Sequence, residues 1–405
     1  FNEEYKDKGL QVEYVRYVND DNGNLQLETY LMGGGDVDLF IGYGGRTKMD
    51  KRVDSNLLLD MSGMLNDIGF NLDDELGVAN MAEYHYDDGA VYGFPTKYEN
   101  SRWILINEDM FKEAGLDIPY DGWTYSEFLA DAEKLTHGEG QDKVYGVCWA
   151  RKQSGKSILY ALDGVLGANQ IYKNEEGTEV NFDNDVYRAG LNLVKETLDK
   201  GYAIPIEDEF SEDISVANTF LQGKCAIMLG VAQMRLCMDQ ENYPHDFMTA
   251  LVPAPVPDDE KYNTEFYRKQ IGTTGAGDLL SISANTKYPE ASFEFAMWYL
   301  KGGMSPLVQG GRIPLWNGVN KDEVLSVLKE KAQGSIDMDS MENYLSLDTT
   351  QGVAAIKGNA SSEISSAWFE EFDAMCYGKQ SVDQTVQNME KRGNELIQTE
   401  LSSQK

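Results

Sequence analysis

A chain of 405 residues with 41% apolar content is long enough for two or three domains and can fill more than one core. Its 68 Asp and Glu against 35 Lys and Arg leave a net charge of −33, which repels nucleic-acid phosphates and anionic lipid headgroups and suits a neutral or cationic ligand. No apolar run approaches the roughly 20 residues that span a bilayer, and no signal peptide is present, although a removed one leaves no trace.

In chain order, the pattern alternates strand and helix, which predicts an α/β fold with mainly parallel sheets. QVEYVRY reads as a strand, LQLETYLM as a helix and DVDLFIGY as a second strand. A turn at Asp88 and Gly89 leads into the run Tyr92, Gly93, Phe94, Pro95 and a short strand from Trp103 to Ile106. Two capped helices follow. Asn107 caps the first, with Glu108 and Asp109 at its positive end and Gly115 closing it; Thr124 and Glu127 form a capping box for the second, stapled by Trp123 and Phe128.

VYGVCWA and CAIMLG are strands of a second unit, separated by helical patterns around Ile158 to Leu166 and Asp185 to Leu198. The polar stretch PDDEKYNTEFYRK reads as a loop, and SVDQTVQNMEKRGNELIQTEL as an amphipathic terminal helix. The four cysteines, Cys148, Cys225, Cys237 and Cys376, are too scattered for a disulfide framework and read as buried free thiols; a Cys225 to Cys237 bridge stays open. No cofactor or metal is expected.

Enzymatic motifs are weak. ARKQSGKS at 150–157 matches a relaxed phosphate-binding loop. A functional loop needs a glycine at its first position and pliant amides, whereas Ala150 stands there and Arg151, Lys152 and Gln153 are bulky. The favoured reading is a polar strand-to-helix loop whose cations can touch an acidic sugar. There is no G-x-S-x-G or H-E-x-x-H, and His85, His137 and His245 stand alone. Adjacent acids such as Glu370 and Glu371 are expected at this acidity and do not indicate a glycosidase pair. NDDNGN at 19–24 lacks an acid at its first position and reads as a turn, not a calcium loop.

The block GAVYGFPTKYENSRWILINEDMFKEAGLDIPYDGWTYSEFLADAEKLT at 89–135 closely resembles the interdomain segment of the extracellular solute-binding proteins of ATP-driven importers, in the branch that carries sugars and oligosaccharides, like maltose-binding protein. GGGDVDLFIGYGG, ANTFLQGKCAIMLG, LVPAPVP, SISANTKYPEASFEFAMWYL, GGRIPLWNG and WFEEFDAMCYGKQSVDQTVQNMEKRGNELI are similar to further parts of that family, in order, over roughly nine-tenths of the chain. One departure is that the family opens with an apolar strand and loop, whereas this sequence starts in what reads as the following helix, FNEEYKDKGLQVEYV.

The resemblance implies a two-lobed periplasmic-binding-protein-like fold with a hinge of three crossings near 107, 255 and 313. The lobes are then residues 1–107 plus 256–312 and residues 108–255 plus 313–405. It implies a non-enzymatic, monomeric protein outside the cytoplasm, lipid-anchored or periplasmic, in a bacterium. Such a protein captures a mono- or oligosaccharide and delivers it to the permease subunits of an ABC importer. A glycoside-cleaving or nucleotide-using enzyme is the alternative in another class, and a peptide or polyamine binder the alternative among binding proteins.

Sugar rings present apolar C–H faces that stack on aromatic side chains, while their hydroxyls need charged or amide partners. Trp368, after the small run SSEISSA, occupies the place where the family sets a stacking aromatic. Trp316 beside Arg312, and Trp149 at the C-terminal end of a strand, are further candidates. Tyr43 and Arg46 belong to the loop after the second strand, where the family places polar contacts; Glu99, with Lys97, precedes the crossing strand. The family often has Trp after the buried strand, where this chain has Ala232, Gln233 and Met234, so Gln233 is expected to hydrogen-bond there instead. Trp298 and Trp123 read as core, and Trp103 as either core or cleft.

Overall fold

The structure is a computed structural model and describes residues 1–16, 25–81, 83–151, 171–174, 176–211, 216–271, 278–348, 358 and 360–403. The chain forms two compact units, each discontinuous in sequence. The first is built from Phe1–Glu99 and Gly275–Val324, the second from Asn100–Thr274, Leu325–Asp348 and Val353–Lys405. The first boundary lies at Glu99/Asn100 instead of 107, because the strand Trp103–Asn107 is paired along its length inside the second unit. The stretch around 255 stays within the second unit and that around 313 within the first.

In the first unit, strands β1 (Leu39–Gly42), β2 (Phe94–Pro95) and β8 (Leu279–Ile282) form a sheet of order β1-β8-β2. Both pairings are antiparallel: β8 comes from the segment that returns to this unit late in the chain, and it runs against both neighbours. Strands β3 (Lys97–Tyr98) and β9 (Ile313–Pro314) make a separate antiparallel pair. The predicted helix Leu25–Met32 forms and buries Leu27 and Leu31, four residues apart on one face, against a core that includes Phe40, Phe94, Leu280, Ile282 and Phe293.

The N-terminal stretch departs from expectation. Phe1–Leu10 folds as turns around a short 3-10 segment, Lys6–Lys8, and residues 11–16 form no ladder. What fixes it is side-chain chemistry. The Phe1 ring packs on Tyr5, Phe295 and Trp298, and the Trp298 N–H donates to Glu4 at 2.8 Å. Trp298 is accordingly half-buried at the edge of its helix, not in the core.

In the second unit, β4 (Trp103–Asn107), β5 (Tyr145–Cys148), β6 (Cys225–Leu229) and β7 (Thr249–Pro253) form a sheet of order β5-β6-β4-β7. Only β5 and β6 run parallel; β4 is antiparallel to both its neighbours. The sheets of the described residues are therefore mixed, with antiparallel pairing predominant, and not mainly parallel as the alternating pattern suggests. That pattern fixes only the succession of elements, whereas strand direction follows from which late segment returns to which sheet.

The local signals hold. Asn107 Oδ1 accepts from the Met110 amide at 3.1 Å, and Gly115 takes a left-handed conformation after the helix Glu108–Glu113. Thr124 and Glu127 form both arms of the capping box that starts the helix Tyr125–Leu135, and Trp123 meets Phe128 edge-on at 5.0 Å. Each cap contributes about 1 kcal/mol. This helix lies so close to β5 that a Cβ on Gly146 would stand 2.2 Å from the Ala132 carbonyl oxygen. The helix Asp185–Asp199, capped by Asn184, buries Val186, Tyr187, Leu191 and Val194, and the chain closes with helices Ser361–Cys376 and Val382–Ser403. The expected loop 257–269 holds two short capped turns, Glu260–Tyr262 and Glu265–Arg268. The helix expected around Ile158 to Leu166 and the turn at 19–24 lie outside the described residues. All four cysteines are free thiols, so the Cys225 to Cys237 bridge does not form.

Candidate functional site

In the first unit, β1 ends at Gly42, and Tyr43 and Gly44 lead into Gly45 and Arg46. Gly44 (φ 95°) and Gly45 (φ 56°) turn the strand directly into the helix Gly45–Asp54. Arg46 is held at four points. Its Nε donates to Asp50 at 2.7 Å, its Nη1 donates to the carbonyls of Glu83 and His85 at 2.7 and 2.9 Å, and its guanidinium lies 3.9 Å over the ring of Tyr86. Tyr86 donates in turn to Asp50 at 2.6 Å and meets Tyr92 edge-on at 5.1 Å. Burial, then the hydrogen bond to Asp50, pushes the Tyr86 phenol up, so it stays a donor at neutral pH. The buried Nη2 of Arg46 finds no partner.

The same segment reaches Trp316. The His85 ring pairs with Asp73 at 2.9 Å, and Glu75, in the helix Leu72–Leu76 with Asp73, accepts from the Trp316 N–H at 2.6 Å. Asn317 fastens to that helix through the carbonyls of Asp74 and Glu75, both at 2.9 Å. Arg46 and the half-buried Trp316 thus share one framework.

A second group forms on β3 and β9, whose register sets Lys97 opposite Pro314 and Tyr98 opposite Ile313, so Glu99 and Arg312 flank the pair at one end. Lys97 Nζ lies 2.9 Å from both Glu99 and Asp278, and the exposed Arg312 reaches Asp278 at 3.4 Å. Burial acts to lower the Lys97 pKa, but Glu99 and Asp278 outweigh it and raise it. Tyr299 belongs here too: burial pushes its phenol up, Arg312 opposes that, and Tyr43 and Asp278 add to it. Tyr43, Glu99 and Arg312 therefore stand in one electrostatic neighbourhood.

The second unit presents its candidates differently. Trp149 is 1% exposed, its N–H donates to Thr197 Oγ1 at 2.9 Å, and its ring packs against Phe128. That is a satisfied core tryptophan. Trp368 is also 1% exposed, stacked on Phe372 with centroids 5.0 Å apart and edge-on to Phe369, but its indole N–H has no partner. Trp123 and Trp103 are core residues as well, with Trp103 donating to the Lys269 carbonyl at 3.2 Å. Gln233 is half-buried in the short turn after β6, where Gly230 adopts φ 99°. Arg151 makes a two-point ion pair with Asp373, at 2.7 and 2.8 Å, and lies 4.3 Å over Phe369. Beyond Arg151, the phosphate-loop match, including Lys156, lies outside the described residues.

Asp50, Tyr86, Asp278 and Tyr299 were not singled out from sequence, and Tyr92 was read only as part of the run that leads into β2. The aromatic and acidic run Tyr84 to Asp88, just ahead of the Gly89 turn, is the signal that points to Tyr86. Among the described residues, no group of three or more His, Cys, Asp or Glu is placed to hold a metal ion, and no helix is long and apolar enough to cross a membrane.

Solved structures resemble this chain along its length. A sugar transporter from Rhizobium etli in an open conformation is 18% identical with a TM-score of 0.73, covering 96% of this chain and 93% of that one. The sugar-binding protein MalE from Xanthomonas citri is 17% identical, with a TM-score of 0.72, 99% of this chain and 94% of that chain covered. An ABC substrate-binding protein from Listeria monocytogenes, in complex with cycloalternan, is 16% identical with a TM-score of 0.71, covering 98% and 94%. These likenesses establish the two-lobed fold. Residues 1–301 match the family model described as bacterial extracellular solute-binding protein, and the chain belongs to that family.

Proposed function

We propose that this protein is the substrate-binding component of an ABC importer, capturing a sugar or oligosaccharide between its two lobes and handing it to membrane permease subunits. The observation that carries the reading is the family match over 1–301, joined to what the first unit offers: aromatic faces (Tyr43, Tyr86, Trp316) among fixed donors and acceptors (Arg46, Glu99, Arg312). This is the combination a pyranose needs, with C–H faces on rings and hydroxyls on charged groups. That the Listeria relative is solved with cycloalternan, and others with D-mannitol or acarbose, supports a carbohydrate ligand.

Binding without turnover is the mechanism. A ligand touching both lobes favours a closed form by its differential affinity for the two states, and a few kcal/mol suffices. The protein acts outside the cytoplasm as a monomer, periplasmic or lipid-anchored. In the second unit, Trp368, Gln233 and Arg151 are the candidates for ligand contact, while Trp149 packs in the core against Phe128.

A thermal-shift screen of the full chain against neutral oligosaccharides tests this, since a ligand that binds only the native state raises apparent stability by mass action. A saturable shift with a sugar that is recovered uncleaved is expected. Cleavage of the sugar, or a panel-wide absence of shift alongside binding of a peptide or polyamine, would overturn it.

A further inference from the structure

Every arginine or lysine that the structure places among the candidate ligand residues is already committed to a carboxylate. In the first unit Arg46 is paired with Asp50, Lys97 with Glu99 and Asp278, and Arg312 with Asp278. In the second, Arg151 is held at two points by Asp373. Three of these cations are substantially desolvated, the side chains of Arg46, Lys97 and Arg151 being 16%, 19% and 15% exposed, whereas Arg312 is 46% exposed. In the first unit Asp73 and Glu75 add further negative charge to the framework that joins Arg46 to Trp316.

We infer that the ligand is an uncharged sugar, and that sugars bearing a carboxylate are selected against; this rests on the sugar-binding reading. A uronate gains a cation only by displacing the carboxylate that holds it. The displaced carboxylate is left beside a new negative charge in a partly dry setting, where like charges repel more strongly than in water. A hydroxyl does neither. It donates to a carboxylate oxygen and accepts from a guanidinium or ammonium N–H while the protein pair stays intact. The clustering of lysine and arginine in the sequence at 151–156 favours acidic sugars by composition alone, but Arg151, the described cation of that run, is taken by Asp373.

Calorimetry on the full chain with oligosaccharides matched in linkage and length, one series neutral and one in uronate form, tests the inference at low and moderate salt. The neutral member of the binding pair should bind at least about tenfold more tightly than its uronate. The difference should narrow as salt rises, because screening weakens the repulsion. Asp278→Asn, which removes the carboxylate shared by Lys97 and Arg312, should improve uronate binding several-fold; Asp373→Asn should do the same through Arg151 should Asp278→Asn fail to fold. A uronate that binds wild type as tightly as its neutral counterpart, or folded variants of both kinds that gain no uronate affinity, overturns the inference and leaves the sugar-binding reading standing. If neither series binds, that reading falls and this inference with it.

Discussion

Replacing Asp373 with Asn isolates what an acid-held cation contributes. Arg151 and Asp373 are joined by two charge-assisted hydrogen bonds at 2.7 and 2.8 Å, with side chains 15% and 21% exposed. Truncating one partner of a fully buried pair costs about 3–5 kcal/mol, because the other charge is left uncompensated; an exposed pair is worth about 0–1 kcal/mol. Discounted for the residual solvent, the expected loss is about 2 kcal/mol, partly softened by the Phe369 ring, which still faces the guanidinium. Urea unfolding with an unchanged m-value reads this as a lower midpoint. Adding Arg151→Met should recover much of the loss, since it removes the orphaned charge, giving a clear coupling term in the double-mutant cycle. A loss under about 0.5 kcal/mol for Asp373→Asn, or strictly additive effects in the pair, would refute the argument that this arginine depends on its carboxylate.

Trp368→Ala should destabilise the fold by about 3–5 kcal/mol, as for other buried aromatics, whereas Trp368→Phe keeps a ring on Phe372, removes an unsatisfied N–H and should cost less than about half as much. Equal losses in chemical denaturation would show that the ring itself is not what the site packs. For the cysteines, burial pushes the Cys237 thiol up to about 12 and raises that of Cys148, so at pH 8 these two thiols should resist a disulfide reagent until the chain unfolds, while the half-buried Cys376 is more open to it. Because the folded thiols ionise later than the unfolded ones, their contribution to stability is complete below about pH 8.5 and lost above it. Rapid native labelling of Cys237, or stability that is flat from pH 8 to 10, would contradict the burial.

What was legible in the sequence is what acts over a few residues. Asn107, Gly115, Thr124 and Glu127 satisfy backbone groups within the same turn, so their spacing alone specifies the two helices they bound. Strand direction was not legible, because β8 is separated from β1 and β2 by nearly the whole of another unit, and nothing local to LLSI states which way it enters the sheet. The segment QVEYVRY has the composition of a strand but no ladder partner over its described residues, and composition does not supply one. Arg46 reads as a polar loop residue until Glu83 and His85, 37 and 39 positions away, are seen to hold it. Tryptophans mislead for a related reason. Trp149 at a strand end looks like an exposed platform, yet whether such a ring is covered depends on distant partners, here Thr197 and Phe128.

The anchoring of the candidate residues bears on how an uncharged ligand is held firmly. A free arginine or lysine on the surface loses up to about 2 kcal/mol of rotamer entropy when a ligand orders it. Arg46 is already ordered, by Asp50, two carbonyls and the Tyr86 ring, and Trp316 is fixed by Glu75. On the proposed reading, a sugar arriving at this unit meets donors, acceptors and an aromatic edge in place, so most of each new hydrogen bond appears as affinity instead of being offset by ordering. The carboxylates therefore do two things at once. On the proposed reading they set the charge the ligand must not carry, and they hold the groups proposed to meet its hydroxyls.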